Sequence, residues 1–216
     1  SVLPNGVAMD WWRTSTRRAD PARVIVVTTM RLSNRKRPLQ LLRMMRQVRA
    51  AVGANPRIEF RLIGDGPLMG ELRDYVRRHQ LGTWVTLLGR MSSAQIREQY
   101  EAADLYVSPA TLESFGIAAL EARSAGLPII AFEQTGTADF VTQGREGWLV
   151  RSDREMIDAI ARLSTDTGLR SAMAAHNRGS RPTQSWAQVT SAADELYARA
   201  ARLVGAGAPR PLAPIR

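Results

Sequence analysis

Six short apolar runs recur along the chain, separated by stretches with helical spacing. This alternation constrains the fold more than any other feature. Val24–Met30 is continuous and β-branched, the pattern of a strand buried on both faces. Ile58–Ile63, Trp84–Leu88, Leu105–Ser108, Pro128–Phe132 and Gly147–Val150 repeat the signal. Between the first two, Pro38 opens a helix predicted to about Val52, with Leu39, Leu42, Met45 and Val48 as its apolar stripe. Further helices are predicted over Pro67–Gln80, from a cap at Ser92 or Ser93 to Ala102, and over Phe115–Ala125 with Gly126 as terminator. After the last strand the chain reads as helical: Asp153 caps a helix to Leu163, and others cover Leu169–Asn177 and Thr183–Leu203. Strand and helix in this order predict an α/β fold. It is a Rossmann-like doubly wound parallel sheet of about six strands, with helices on both faces. Residues 21–182 form this domain, 183–204 a C-terminal helix, and 205–216, rich in Gly, Pro and Ala, a flexible tail.

Composition removes several chemistries. The 216 residues contain no cysteine, which excludes disulfides, thiolate-bound zinc and a thiol nucleophile. The two histidines, His79 and His176, fall on predicted helices, so no histidine-rich metal site is expected. The net charge is +10, and Lys36 is the single lysine among 30 basic residues. The arginines are spread along the chain without interleaved aromatics, so no nucleic-acid partner is expected. An anionic membrane surface or a phosphorylated ligand suits the charge better. The longest apolar runs are strand-sized, and Asn5, Asp10 and Trp11 interrupt any leader-like core; the expected location is the cytoplasm, with peripheral contact at the inner face of the membrane.

In a doubly wound sheet, ligands bind beyond the carboxyl ends of the strands. Five loops lie there: Arg31–Lys36, Gly64–Pro67, Gly89–Met91, Pro109–Gly116 and Glu133–Asp139. Arg31 and Lys36 place a guanidinium fork and a mobile ammonium before a helix, a pair suited to a diphosphate; read alone, the cluster also fits a solvated basic turn. Gly64-Asp65-Gly66-Pro67 is a tight turn whose glycines, Gly64 and Gly66, allow positive φ and close backbone approach to a ligand, and it matches neither a Walker A loop nor a G-x-G-x-x-G fingerprint. Ser114, Phe115, Gly116 and Ile117 offer backbone N–H groups at a helix start, where anions are favoured. Glu113 precedes that helix and Glu121 sits on its apolar body, where an acid needs a partner. Read as structure, the pair is a helix-start acid and a surface acid. Eight helical residues span about 12 Å, too far for a glycosidase pair at roughly 5–9.5 Å. The spacing suits two ends of one extended ligand. Ser108 and Ser114 have no histidine at a neighbouring strand end, so a Ser-His-Asp triad is not expected.

Taken together, these motifs resemble the C-terminal, donor-nucleotide-binding domain of GT-B-fold retaining glycosyltransferases of the group 1 (family 4) class. Arg31 and Lys36 match its R-x4-K pair, Gly64-Asp65-Gly66-Pro67 its G-x-G-x turn, and Glu113 with Glu121 its E-x7-E motif around Phe115-Gly116. Gly126-x-Pro128, Gly144-x-x-Gly147-x-Leu149-Val150 and Ser185-Trp186 also match, so the likeness spans residues 2–204. Val2–Val7 resembles the entry linker, which makes 1–20 a linker remnant. The resemblance implies transfer of a hexose from a UDP- or GDP-sugar. Arg31 and Lys36 would hold the diphosphate, Glu113 the sugar hydroxyls, and Glu121 the ribose. Amides of Phe115, Gly116 and Ile117 would approach the sugar and phosphates, and the backbone near Arg90 and Met91 would read the base. The donor is then a substrate, and neither a cofactor nor a divalent metal is implied. Two departures stand out. Gly136-Thr137-Ala138-Asp139 replaces the usual Gly-Gly and Glu of that loop, and the N-terminal acceptor domain is missing, so the chain alone would transfer little. A non-catalytic nucleotide-sugar-binding or regulatory module is the alternative. A sugar-nucleotide epimerase fits less well, since neither histidine falls at a strand end.

Overall fold

The computed structural model describes residues 5–14, 22–54, 57–180 and 182–204. The chain divides into two compact units, one of residues 9–182 and one of 1–8 with 183–216. The larger unit contains α1 (Met9–Trp12), β1 (Arg23–Thr29), α2 (Pro38–Val52), β2 (Arg57–Ile63), α3 (Met69–Arg78), β3 (Val85–Gly89), α4 (Ser93–Ala102) and β4 (Leu105–Ser108). It continues with α5 (Ile117–Ser124), β5 (Ile129–Phe132), β6 (Gly147–Val150), α6 (Asp153–Thr165) and α7 (Thr167–Gly179). The six strands pair in parallel in the order β3-β2-β1-β4-β5-β6.

The pleat sends alternate residues to opposite faces. Val24, Val26, Phe60, Leu62, Val107 and Phe132 join one core with Leu41, Met45 and Val48 of α2 and Met156, Ile160 and Leu163 of α6. Helices α2 and α6 pack against each other there. On the other face α4 meets β1, while α5 meets β4 and β5. An aromatic chain lies in that layer: Trp12 is 5.6 Å from Tyr100, which meets Tyr106 edge-on at 5.9 Å. The buried Arg170 guanidinium donates to the Leu163 and Ser164 carbonyls at 2.6 and 3.0 Å, occupying acceptors that the end of α6 leaves open.

Element starts differ from the sequence reading where side chains decide them. Ser152, not Asp153, caps α6: its hydroxyl accepts from the Glu155 N–H at 3.1 Å. Asp153 is the first helical residue, and its carboxylate is taken by Arg37 and Gln40. Of the two serines proposed for α4, Ser92 is the cap, in a capping box with Gln95. Helix α5 begins at Ile117 rather than Phe115, because Gly116 occupies the left-handed region at its start. Helix α3 begins at Met69, after Pro67, and α7 extends the predicted Leu169–Asn177 by two residues at each end, to Thr167–Gly179.

In the smaller unit, the Val7 N–H donates to the Gln184 carbonyl at 3.0 Å. The Ser185 hydroxyl accepts from the Gln188 N–H at 3.2 Å, just before α8 (Trp186–Val204). The stretch 1–20 is described only over 5–14, where α1 forms, and the predicted tail 205–216 lies outside the described residues.

Candidate functional site

Strand order fixes where a cleft opens. Strands β2 and β3 extend from β1 in one direction and β5 and β6 from β4 in the other, so the crossovers diverge between β1 and β4. A cleft of about 350 Å³ lies at the carboxyl ends of these two strands. Thr28–Arg31 and Lys36 line one wall, Tyr106, Ser108, Pro109, Ala110 and Glu113 the other, and Gly116–Ala119 the start of α5.

The β1 wall is built by a tight turn. The exposed Arg31 follows the strand, Asn34–Lys36 form one 3-10 turn, and Pro38 starts α2. That turn aims the Lys36 ammonium across the cleft into an ion pair with Glu113. Burial opposes ionisation of Glu113. The Lys36 bond and charge, with backbone N–H groups of Phe115 and Gly116, outweigh it and hold the carboxyl below its ordinary range. Gly116 has φ 84°, and a Cβ there would sit 2.8 Å from the Thr137 hydroxyl oxygen. Gly136 lies against the same loop: its N–H donates to the Glu113 carbonyl at 2.9 Å, and a Cβ would come within 2.1 Å of the Ser114 carbonyl oxygen. The loop after β5 therefore clamps the loop after β4 from behind.

Of the residues singled out from the sequence, Arg31, Lys36, Glu113, Gly116 and Ile117 line this cleft. Gly64 and Gly66 serve a different close approach. Cβ atoms there would meet the Met30 carbonyl oxygen at 1.8 Å and the Leu32 carbonyl oxygen at 2.6 Å. Their turn packs on the backbone that carries Arg31. Arg90 and Met91 follow β3, two strands from β1, where the Gly64 N–H donates to the Gly89 carbonyl at 2.8 Å. Ser114 is exposed and Phe115 is buried against Phe140, with ring centroids 5.9 Å apart.

Glu121 is half-buried on α5, and its carboxylate has no ion pair or hydrogen bond among the described residues. Burial alone pushes its carboxyl up to about 7. It is close enough to Tyr100 and Tyr106 to raise both phenols electrostatically, although burial is the larger cause. Tyr106, which the sequence reading passed over as a strand residue, lines the cleft and donates to the Thr29 carbonyl at 3.2 Å. His176 takes no part in the cleft: it bonds the buried Glu146 at 2.8 Å. The arrangement offers two cations, a carboxylate and a helix N-terminus around one opening, which suits an anion joined to a polyol.

A family model for glycosyl transferases group 1 matches residues 14–179. The chain belongs to this family. The D-inositol 3-phosphate glycosyltransferase of Rhodococcus erythropolis is 28% identical over 191 residues, covering 84% of this chain and 42% of that relative. The chain spans less than half the length of the curated relatives it matches. Among solved structures, Anabaena HepE in complex with UDP and glucose superposes with a TM-score of 0.75 at 22% identity, over 91% of this chain and 56% of that one. The C-terminal domain of the group 1 protein LpcC from Francisella tularensis gives 0.65 at 19% identity, over 81% of this chain and 95% of that domain. The fold is that of the C-terminal half of GT-B glycosyltransferases.

Proposed function

We propose that this group 1 glycosyltransferase chain is the donor-binding half of a retaining hexosyltransferase that uses a UDP- or GDP-sugar. The observation that carries this reading is the convergence of Arg31, Lys36, Glu113 and the start of α5 on the cleft between β1 and β4. Arg31 and Lys36 hold the diphosphate and stabilise the charge that grows on it as the sugar–phosphate bond breaks. Donor binding exchanges partners: the diphosphate replaces Glu113 at Lys36, and sugar hydroxyls donate to the freed carboxylate. Amides near Gly116 and Ile117 face the sugar and phosphates, Glu121 accepts from the ribose hydroxyls, and backbone near Arg90 and Met91 reads the base. The two cations and the helix dipole take the place a divalent metal would fill, and no separate cofactor enters.

Anabaena HepE, solved in complex with UDP and glucose, supports the ligand class. The acceptor site belongs to an N-terminal half, so this chain binds donor but transfers little by itself. Calorimetric titration with UDP, GDP, ADP and their sugar conjugates tests the reading. The expected result is saturable binding of one nucleotide, weakened by Lys36→Ala and by Glu121→Ala. A folded chain that binds none of them overturns it.

A further inference from the structure

Arg37 follows Lys36 directly and is absent from the cleft lining. Its backbone is left-handed, at φ 57° and ψ 40°. A residue with a Cβ disfavours that region, and the Pro38 ring disfavours helical geometry in the residue before it. Such conformations persist where the surroundings over-determine them, and they concentrate at functional sites.

The surroundings here are specific. Arg37 Nη2 donates to both Asp153 carboxylate oxygens at 2.9 and 2.8 Å, and Nη1 donates to the Pro109 carbonyl at 3.2 Å. The guanidinium lies 5.5 Å from the centre of the Phe132 ring. Gln40 adds a bond to the same Asp153 carboxylate at 2.8 Å. One side chain thus ties the Lys36 turn to the first turn of α6, to the loop leaving β4 and to the end of β5. Its own N–H donates to the Asn34 carbonyl at 3.0 Å, closing the turn that ends in Lys36.

We infer that Arg37 is a positioning residue: its ties to Asp153, Pro109 and Phe132 hold the Lys36 turn in the geometry that presents the ammonium to a donor diphosphate. This rests on the donor-binding reading above. It goes further in assigning the cost of the left-handed turn to the placement of one cation.

The test compares UDP with UMP, and GDP with GMP, by calorimetry on the whole chain. Wild type is expected to prefer the diphosphate of the base it selects. Arg37→Ala should shrink that preference about tenfold, the scale of one charge-assisted hydrogen bond, with monophosphate affinity unchanged. Arg37→Gly separates backbone from side chain, because glycine adopts φ 57° freely. The same shrinkage is expected, since the ties are gone. Asp153→Asn removes one charge from a partly exposed position and serves as the variant least disturbing to folding; its preference should shrink too. Wild-type preference in Arg37→Gly assigns the placement to the backbone alone and overturns the inference. So does equal weakening of both nucleotides in all three variants. Failure of wild type to bind either diphosphate removes the donor-site reading itself.

Discussion

Glu121 provides the sharpest test of the site's electrostatics. Its carboxyl rises from 4.5 to about 7 because burial removes water without supplying a partner among the described residues. At 1.36 kcal/mol per pH unit, that rise corresponds to about 3 kcal/mol. Screening at a side chain that solvent partly reaches reduces it to about 1–2 kcal/mol. The folded state keeps a proton that the unfolded chain releases above its ordinary 4.5. The contribution is therefore fully present below pH 4.5, falls as pH rises, and is lost beyond about 7. Glu121→Gln keeps the shape and removes the titration. Urea denaturation of wild type and Glu121→Gln at pH 5 and pH 8 isolates the effect, because other titrating groups cancel in the difference. The variant should gain about 1–2 kcal/mol on wild type between those two values. A difference that does not change with pH refutes the argument that Glu121 is desolvated and unpaired. On the proposed donor-site reading, ribose hydroxyls donate to this group and so favour its charged form. Nucleotide binding near pH 7 should therefore release protons, seen as a dependence of the binding enthalpy on buffer ionisation that vanishes in Glu121→Gln.

Three other outcomes follow from named contacts. Gly136→Ala forces a methyl to within 2.1 Å of the Ser114 carbonyl oxygen; melting should show a loss of about 1–3 kcal/mol, and titration a fall in nucleotide affinity as the Glu113 loop shifts. Asn177→Leu removes the buried amide bonds to the Leu127 and Glu146 carbonyls at 2.8 and 2.9 Å; denaturation should report a loss of about 1–3 kcal/mol with nucleotide affinity unchanged. A groove lined by Arg43, Arg46, Gln47, Ala50, Tyr75 and His79 runs between α2 and α3; on it, sedimentation with phosphatidylglycerol vesicles should be salt-sensitive and fall in the Arg43→Glu, Arg46→Glu double variant, at about 1 kcal/mol per arginine. Equal sedimentation by the double variant removes this surface as a membrane contact.

The strands and most helices were legible because their signals are local. The β-branched run at Val24–Met30 can be satisfied only by burial on both faces, and β1 occupies Arg23–Thr29. Pro38 opens α2 as its fixed φ requires. Signals that depend on a distant partner were read less well. Asp153 looked like a cap because its residue type favours one, but Arg37, 116 positions earlier, claims its carboxylate and leaves the capping to Ser152. Gly64 and Gly66 looked like ligand-facing glycines, and the backbone that approaches them is that of Met30 and Leu32. A glycine in a turn announces a close approach without saying to what.

The cleft itself depends on a pairing that no local pattern encodes. Five strand-end loops were candidates, since each follows a predicted strand. The register of Val26 against Leu105 and Val27 against Tyr106 makes β1 and β4 neighbours, and from there the remaining strands extend to either side. That one adjacency brings the Lys36 turn opposite Glu113. It leaves Gly64 and Gly66 bracing the β1 exit, and Gly136 bracing the Glu113 loop. Residues that follow the flanking strands β2 and β5 thus shape the opening by bracing the two inner loops. A substitution there should change nucleotide affinity through the position of Arg31 or Glu113, even where it touches no ligand.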